Sequence, residues 1–112
     1  MIVLSGEGGK AFSSGADISQ FEKQRTSPDA VEVYNAALGA ACQKLTNIPK
    51  PTIAKIQGYC LGGGVNLALC CDLRMCNQGA RFAIPAAKLG LGYGYSGLKR
   101  LCDVIGPARA LE

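Results

Sequence analysis

There is no histidine in this chain of 112 residues. Its absence removes Ser-His and Cys-His nucleophile pairs and most zinc sites, so no metal site is expected. No stretch of about 18 apolar residues exists, so no membrane-spanning helix and no membrane partner are expected. The 12 basic residues are scattered and not interleaved with aromatics, which argues against a nucleic-acid partner despite a net charge of +4. Such a balance also suits an anionic small molecule. Met1-Ile2-Val3-Leu4 lacks the basic leader and apolar core of a signal peptide. A cytoplasmic location is expected, unless an organellar leader precedes the chain. The cysteines Cys42, Cys60, Cys70, Cys71, Cys76 and Cys102 form no C-x-x-C pair. They read as small buried hydrophobes of a reducing compartment, with Cys60 the one candidate for a reactive thiol.

What is present is 48% hydrophobic content, enough for one small core, so residues 1–112 form one domain or part of one. Met1–Leu4 reads as a short buried strand. Gly6–Lys10 is a loop, and Phe12–Ile18 carries a Ser-Ser-Gly turn. Ser27-Pro28-Asp29 starts a helix with a cap, a first-turn proline and a carboxylate at the positive pole. Tyr34, Leu38, Ala41, Leu45 and Ile48 mark its buried face, and Pro49 and Pro51 end it. A strand over Thr52–Gln57, a helix over Val65–Cys71 and a strand over Asp72–Cys76 follow. Arg81–Ile84 is extended, Leu89–Ser96 irregular, and Leu98–Ile105 helical. Gly106-Pro107 breaks that helix, and Ala108–Glu112 restarts one. The alternation predicts an α/β fold with a largely parallel sheet. Opening on a core strand and ending inside a helix, the chain reads as the central part of a domain about twice as long.

Gly62-Gly63-Gly64 stands between the apolar runs Ile53–Leu61 and Val65–Cys71. Side-chain-free residues at a strand-to-helix junction let the backbone approach a ligand. The amides there have no intrahelical acceptor and carry the positive end of the helix dipole. A second glycine turn, Ser13-Ser14-Gly15-Ala16-Asp17-Ile18, also follows a predicted strand. If the two strands are neighbours, one N–H from each turn converges on a single oxygen. Each such donor is worth about 3 kcal/mol of transition-state stabilisation. Neither turn is a P-loop or a dinucleotide fingerprint.

The ordered motifs resemble the enoyl-CoA hydratase/isomerase, or crotonase, superfamily. They are Lys10-Ala11-Phe12-Ser13-Ser14-Gly15-Ala16-Asp17-Ile18, Pro49-Lys50-Pro51-Thr52-Ile53-Ala54 and Gly58-Tyr59-Cys60-Leu61-Gly62-Gly63-Gly64. Cys71-Asp72-Leu73-Arg74, Ala80-Arg81-Phe82-Ala83-Ile84-Pro85, Leu89-Gly90-Leu91 and Gly106-Pro107-Ala108-Arg109-Ala110 continue the series. The resemblance implies a crotonase-like fold of repeated ββα units, incomplete at both ends here. It implies an acyl-CoA thioester as substrate, coenzyme A entering only as part of it, and no tightly bound cofactor. Full-length members usually form trimers or hexamers. The resemblance assigns the oxyanion-hole amides to Ala16 and Gly63. It assigns substrate or coenzyme contacts to Ser14, Ala16, Asp17, Ile18, Gly62, Gly63, Asn66, Pro85, Ala86 and Leu89, with Ser14–Ile18 meeting the adenine end mainly through backbone.

Departures from the pattern are equally informative. Hydratases of the family use two glutamates, at positions occupied here by Asn66 and Ala86. A third position, an aspartate in some members, falls near Gly94. Asparagine can hold a water but cannot take its proton near neutral pH, and alanine can do neither. Of the remaining groups, Asp17 reads as a cap, and Asp72 as the organiser of the turn into the next strand. Glu7 and Glu22 read as surface charges and Lys10 as a solvated loop lysine. Tyr93 and Tyr95 border the expected acyl pocket as its wall or as a subunit contact, although a phenol there could also donate a proton. The expected function is a thioester-polarising enzyme of the lyase or isomerase class, in fatty acid metabolism, with its reaction type open. The alternatives are an inactive acyl-CoA-binding module or pseudoenzyme, and a purely structural fragment.

Overall fold

β-Branched and apolar residues alternate between the faces of short strands, and glycines mark most corners. The computed structural model describes residues 1–20 and 27–111. Its strands are β1 (Ile2–Ser5), β2 (Ala11–Ser13), β3 (Thr52–Ile56), β4 (Tyr59–Leu61), β5 (Leu73–Cys76) and β6 (Arg81–Ala83). The helices are α1 (Pro28–Thr46), α2 (Gly63–Cys70), α3 (Tyr95–Ile105) and α4 (Pro107–Ala110). Two 3-10 turns, Ile18–Gln20 and Pro85–Leu89, follow β2 and β6. Glu22 and Glu112, read above as a surface charge and as the end of the last helix, lie outside the described residues.

The expected parallel sheet is two sheets. One has the order β1-β3-β5 and the other β2-β4-β6, and every pairing is parallel. After the strand expected over Thr52–Gln57, the chain therefore does not pass straight into the glycine turn. It bends at Gln57-Gly58, where Gly58 has φ +62°, and re-enters the second sheet as β4. Two residues suffice for that corner because glycine adopts positive φ without a steric cost.

α1 begins as its residues dictate: the Ser27 hydroxyl accepts from the Ala30 amide at 3.2 Å, and Pro28 occupies the first turn. Its inward stripe differs by one residue from expectation. Cys42 is buried and Ala41 exposed, while Tyr34, Leu38 and Leu45 are half-buried. β1 is not fully buried either. Ile2 and Leu4 turn inward, and Val3 is exposed. α2 begins two residues earlier than its apolar run, and α3 starts at Tyr95 rather than Leu98. The core joins Ala54, Ile56, Cys60, Val65, Ala68, Leu69 and Cys71, with Leu4, Phe12, Leu45, Ala80, Ile84 and Leu101 packed on it. Burying a side chain of the size of Ile56 contributes about 1.5–3 kcal/mol. All six cysteines are free, but Cys76 is exposed and Cys102 half-buried, so the reading as buried hydrophobes holds for the other four.

Candidate active site

β2, β4 and β6 run in one direction, so the three turns after them leave the same edge of one sheet. In parallel sheets that carboxyl-end edge is where ligands bind. The first turn carries Ser14, Ala16, Asp17 and Ile18, the second Gly62 and Gly63, the third Pro85, Ala86 and Leu89. The edge thus gathers nine of the ten residues singled out in the sequence. The tenth, Asn66, lies one turn into α2. A hydrogen bond from the Gly62 amide to the Ala83 carbonyl (2.8 Å) ties the second turn to the third.

The first and second turns touch. A β-carbon built on Gly15 would lie 3.2 Å from the Gly63 nitrogen and 3.1 Å from the Leu61 carbonyl oxygen. One built on Gly63 would lie 3.9 Å from the Ala16 nitrogen. The three consecutive glycines serve different ends. Gly62 has φ +51°, a conformation that side chains disfavour. Gly63 faces Gly15 and Ala16, and Gly64 is pressed on Ser13, whose carbonyl oxygen would sit 2.5 Å from an added β-carbon. Among the described residues, neither the Ala16 nor the Gly63 amide donates to another backbone group.

The side chains around these amides are mostly committed. Asp17 Oδ1 accepts from the Ser19 amide (3.0 Å) and hydroxyl (2.7 Å), the capping role expected of it. Asn66 Oδ1 accepts from Arg100 Nη1 at 3.1 Å, and its Nδ2 donates to Cys42 Sγ at 3.4 Å. The orientation of this amide is chemically forced, because a guanidinium only donates and so must face the oxygen. Ala86 is half-buried, and its carbonyl accepts from the Leu91 amide at 3.0 Å. Burial raises the Cys60 thiol to about 11, so it is no thiolate nucleophile at neutral pH. The Tyr93 hydroxyl is buried with no hydrogen-bond partner among the described residues, and burial, then Cys42, raises its pKa while Arg100 opposes. Among the described residues no cluster of three Cys, Asp or Glu is placed to hold a metal ion. None of the described helices is long and apolar enough to cross a membrane.

Arg100 and Cys42 are the residues that sequence reasoning missed here. They lie 34 and 24 positions from Asn66, and no local spacing connects them.

The family model described as enoyl-CoA hydratase/isomerase matches residues 1–112. The chain belongs to the enoyl-CoA hydratase/isomerase family. It is 45% identical to a probable mitochondrial enoyl-CoA hydratase of Dictyostelium discoideum, over 99% of this chain and 38% of that protein. It is 38% identical to a crotonyl-CoA hydratase of Syntrophomonas wolfei, over 100% of this chain and 42% of the relative. Among solved structures, an enoyl-CoA hydratase/carnithine racemase of Magnetospirillum magneticum superposes with a TM-score of 0.93 at 38% identity, over 99% of this chain and 42% of that one. The chain therefore spans about two fifths of the length of the relatives it matches. Its paired parallel sheets are the crotonase fold of the enoyl-CoA hydratase/isomerase family.

Proposed function

We propose that this chain binds an acyl-coenzyme A thioester and polarises its carbonyl through the backbone amides of Ala16 and Gly63. As electron density moves onto the thioester oxygen, both N–H groups strengthen their hold on it, and an enolate-like anion becomes accessible. The positive pole of α2 adds to the same effect. The observation that supports this reading is the approach of the two glycine turns, with the Ala16 nitrogen 3.9 Å from the β-carbon position of Gly63. Coenzyme A enters as part of the substrate, with Ser14, Asp17 and Ile18 along one side and Gly62, Asn66, Pro85, Ala86 and Leu89 along the other. Trimers or hexamers are the expected assemblies.

Hydration by two glutamates is not the reaction favoured here. The Asn66 oxygen is engaged by Arg100, and Ala86 has no polar atom beyond its backbone. General acid–base catalysis typically supplies 10²–10⁴-fold, and neither residue can perform it. Double-bond shift and decarboxylation pass through that enolate-like anion, and thioester hydrolysis through a tetrahedral oxyanion that the same two amides would hold. Engagement of Asn66 also favours a second reading, an acyl-CoA-binding protein without turnover.

Calorimetric titration with butyryl-CoA tests the shared premise, and absence of binding at millimolar ligand overturns it. Product analysis after incubation with several acyl-CoA thioesters separates the two readings. Binding with product supports the enzyme, and binding without product supports the inactive module.

A further inference from the structure

A buried hydroxyl with no acceptor is costly, and native proteins rarely leave one without a reason. The Tyr93 hydroxyl is such a group among the described residues. It lies beside α2 and α3. Its ring packs on Gly97, where an added β-carbon would meet Tyr93 at 2.8–3.3 Å. The groups acting electrostatically on it include Arg100 and Cys42, the two residues that hold Asn66.

Arg100, Asn66 and the phenol bring donors to this nook, beside the Cys42 and Cys70 thiols. The phenol has a free O–H. Asn66 has surrendered its oxygen to Arg100, and one of its two amide hydrogens remains beyond the one given to Cys42. Arg100 is half-buried, and its hydrogen bond among the described residues uses one Nη1–H of five N–H donors. No carboxylate pairs with it among those residues, where the ion pair joins Lys99 to Asp103 instead. Asn66 stands three residues after Gly63 on α2, so it lies about one helical turn from the proposed thioester site. Gly90, Gly92 and Gly94 flank Leu91 and Tyr93, so the segment carrying the phenol has backbone freedom to admit a ligand.

We propose that Arg100, Asn66 and Tyr93 form a donor-rich nook that selects acyl-coenzyme A thioesters whose acyl group ends in a carboxylate. This inference rests on the thioester reading above. The carboxylate supplies the acceptor that Tyr93 lacks and the negative charge that Arg100 lacks. A plain hydrocarbon end supplies neither and leaves three donors desolvated. Substrates with a polar end are discriminated strongly by such sites, because the wrong ligand strands buried polar groups.

Succinyl-CoA and butyryl-CoA test this. Both carry four acyl carbons, neither has a double bond to hydrate, and they differ by a terminal carboxylate in place of a methyl group. Calorimetry on the purified protein is expected to show succinyl-CoA binding about tenfold more tightly or better, as one well-made charged contact provides. Arg100→Met is expected to abolish the preference, and Tyr93→Phe to reduce it. The wild-type preference is expected to shrink as salt rises, a reading that survives even if Arg100→Met fails to fold. Equal binding of the two thioesters overturns the inference and leaves the thioester site standing. Failure of both to bind overturns the site and the inference together. An undiminished preference in Arg100→Met overturns it as well, and one in Tyr93→Phe removes the phenol from the nook and assigns its hydroxyl to a bound water.

Discussion

The two ends of α2 are finished in opposite ways. At the C-terminal end the protein satisfies its own backbone. Arg74 donates to the carbonyls of Cys71 (2.6 Å), Asp72 (3.2 Å) and Ala68 (3.3 Å), bringing positive charge to the negative pole. Asp72 then clamps the start of β3, accepting from the Thr52 amide (2.7 Å) and hydroxyl (2.8 Å), while its own amide donates to that hydroxyl at 2.9 Å. At the N-terminal end Gly62 brings no side chain, and the Gly63 amide has no backbone acceptor among the described residues. Orphan donors at a helix start are ordinarily capped. One pole is thus closed by the protein itself, and the other leaves two neighbouring amides without backbone acceptors, the asymmetry on which the proposed thioester site rests.

Removing the bare donor breaks this comparison most severely. Gly63→Pro deletes the N–H at a first-turn position where proline is sterically acceptable. Turnover of any thioester the protein processes is expected to fall about 100- to 1000-fold. Steady-state kinetics on protein with unchanged far-UV circular dichroism would measure it. An unchanged rate would strip the Gly63 amide of its role. Next comes Gly64→Val, which drives a branched side chain into Ser13 and is expected to cost about 2–3 kcal/mol in urea unfolding. Wild-type stability there would show that the turns yield readily. At the capped end Arg74→Ala is expected to lose about 1–2 kcal/mol of stability and leave butyryl-CoA affinity intact. An equal loss of affinity would mean that the two ends are not separable.

Asp72 supplies the mildest test. Its hydrogen bonds from the Thr52 backbone and then side chain hold its carboxyl below the ordinary carboxylate range. A depressed carboxyl stabilises the fold above its unfolded pKa of about 3.9 and loses that contribution as pH falls through the folded value. The stability gap between wild type and Asp72→Asn is thus expected to be constant above about pH 5 and to close in more acid solution. A gap that widens on acidification would contradict the sign.

Much of this was legible in the sequence, for identifiable reasons. The α1 cap at Ser27-Pro28 and the capping role of Asp17 are local, and local chemistry predicts them. Asp72, expected to order the turn into β5, instead holds Thr52, 20 residues away, a partner no local pattern indicates. The approach of the two glycine turns followed from a family pattern and a parallel sheet. The strand Tyr59–Leu61 did not. Gly58 reads as the start of the glycine turn, and only pairing in the second sheet shows that the three residues after it form a strand. Ala41 displaced Cys42 in the expected stripe because a cysteine and an alanine weigh alike in a helical pattern. The engagement of Asn66 by Arg100 was illegible because α2 and α3 meet only after the chain has folded.

The parallel pairing also dictates an order of events on the ribosome. Ile2 pairs with Thr52 and Ala11 with Tyr59, so β1 and β2 wait for these partners while nearly half of these 112 residues are made. Such long separations slow folding and leave strand edges open to other molecules. α1 is synthesised in that interval. Until β3 and β4 arrive, α1 is the α-helix among the described residues that can shield the waiting strands, and a nascent chain stalled before Thr52 is expected to need a chaperone.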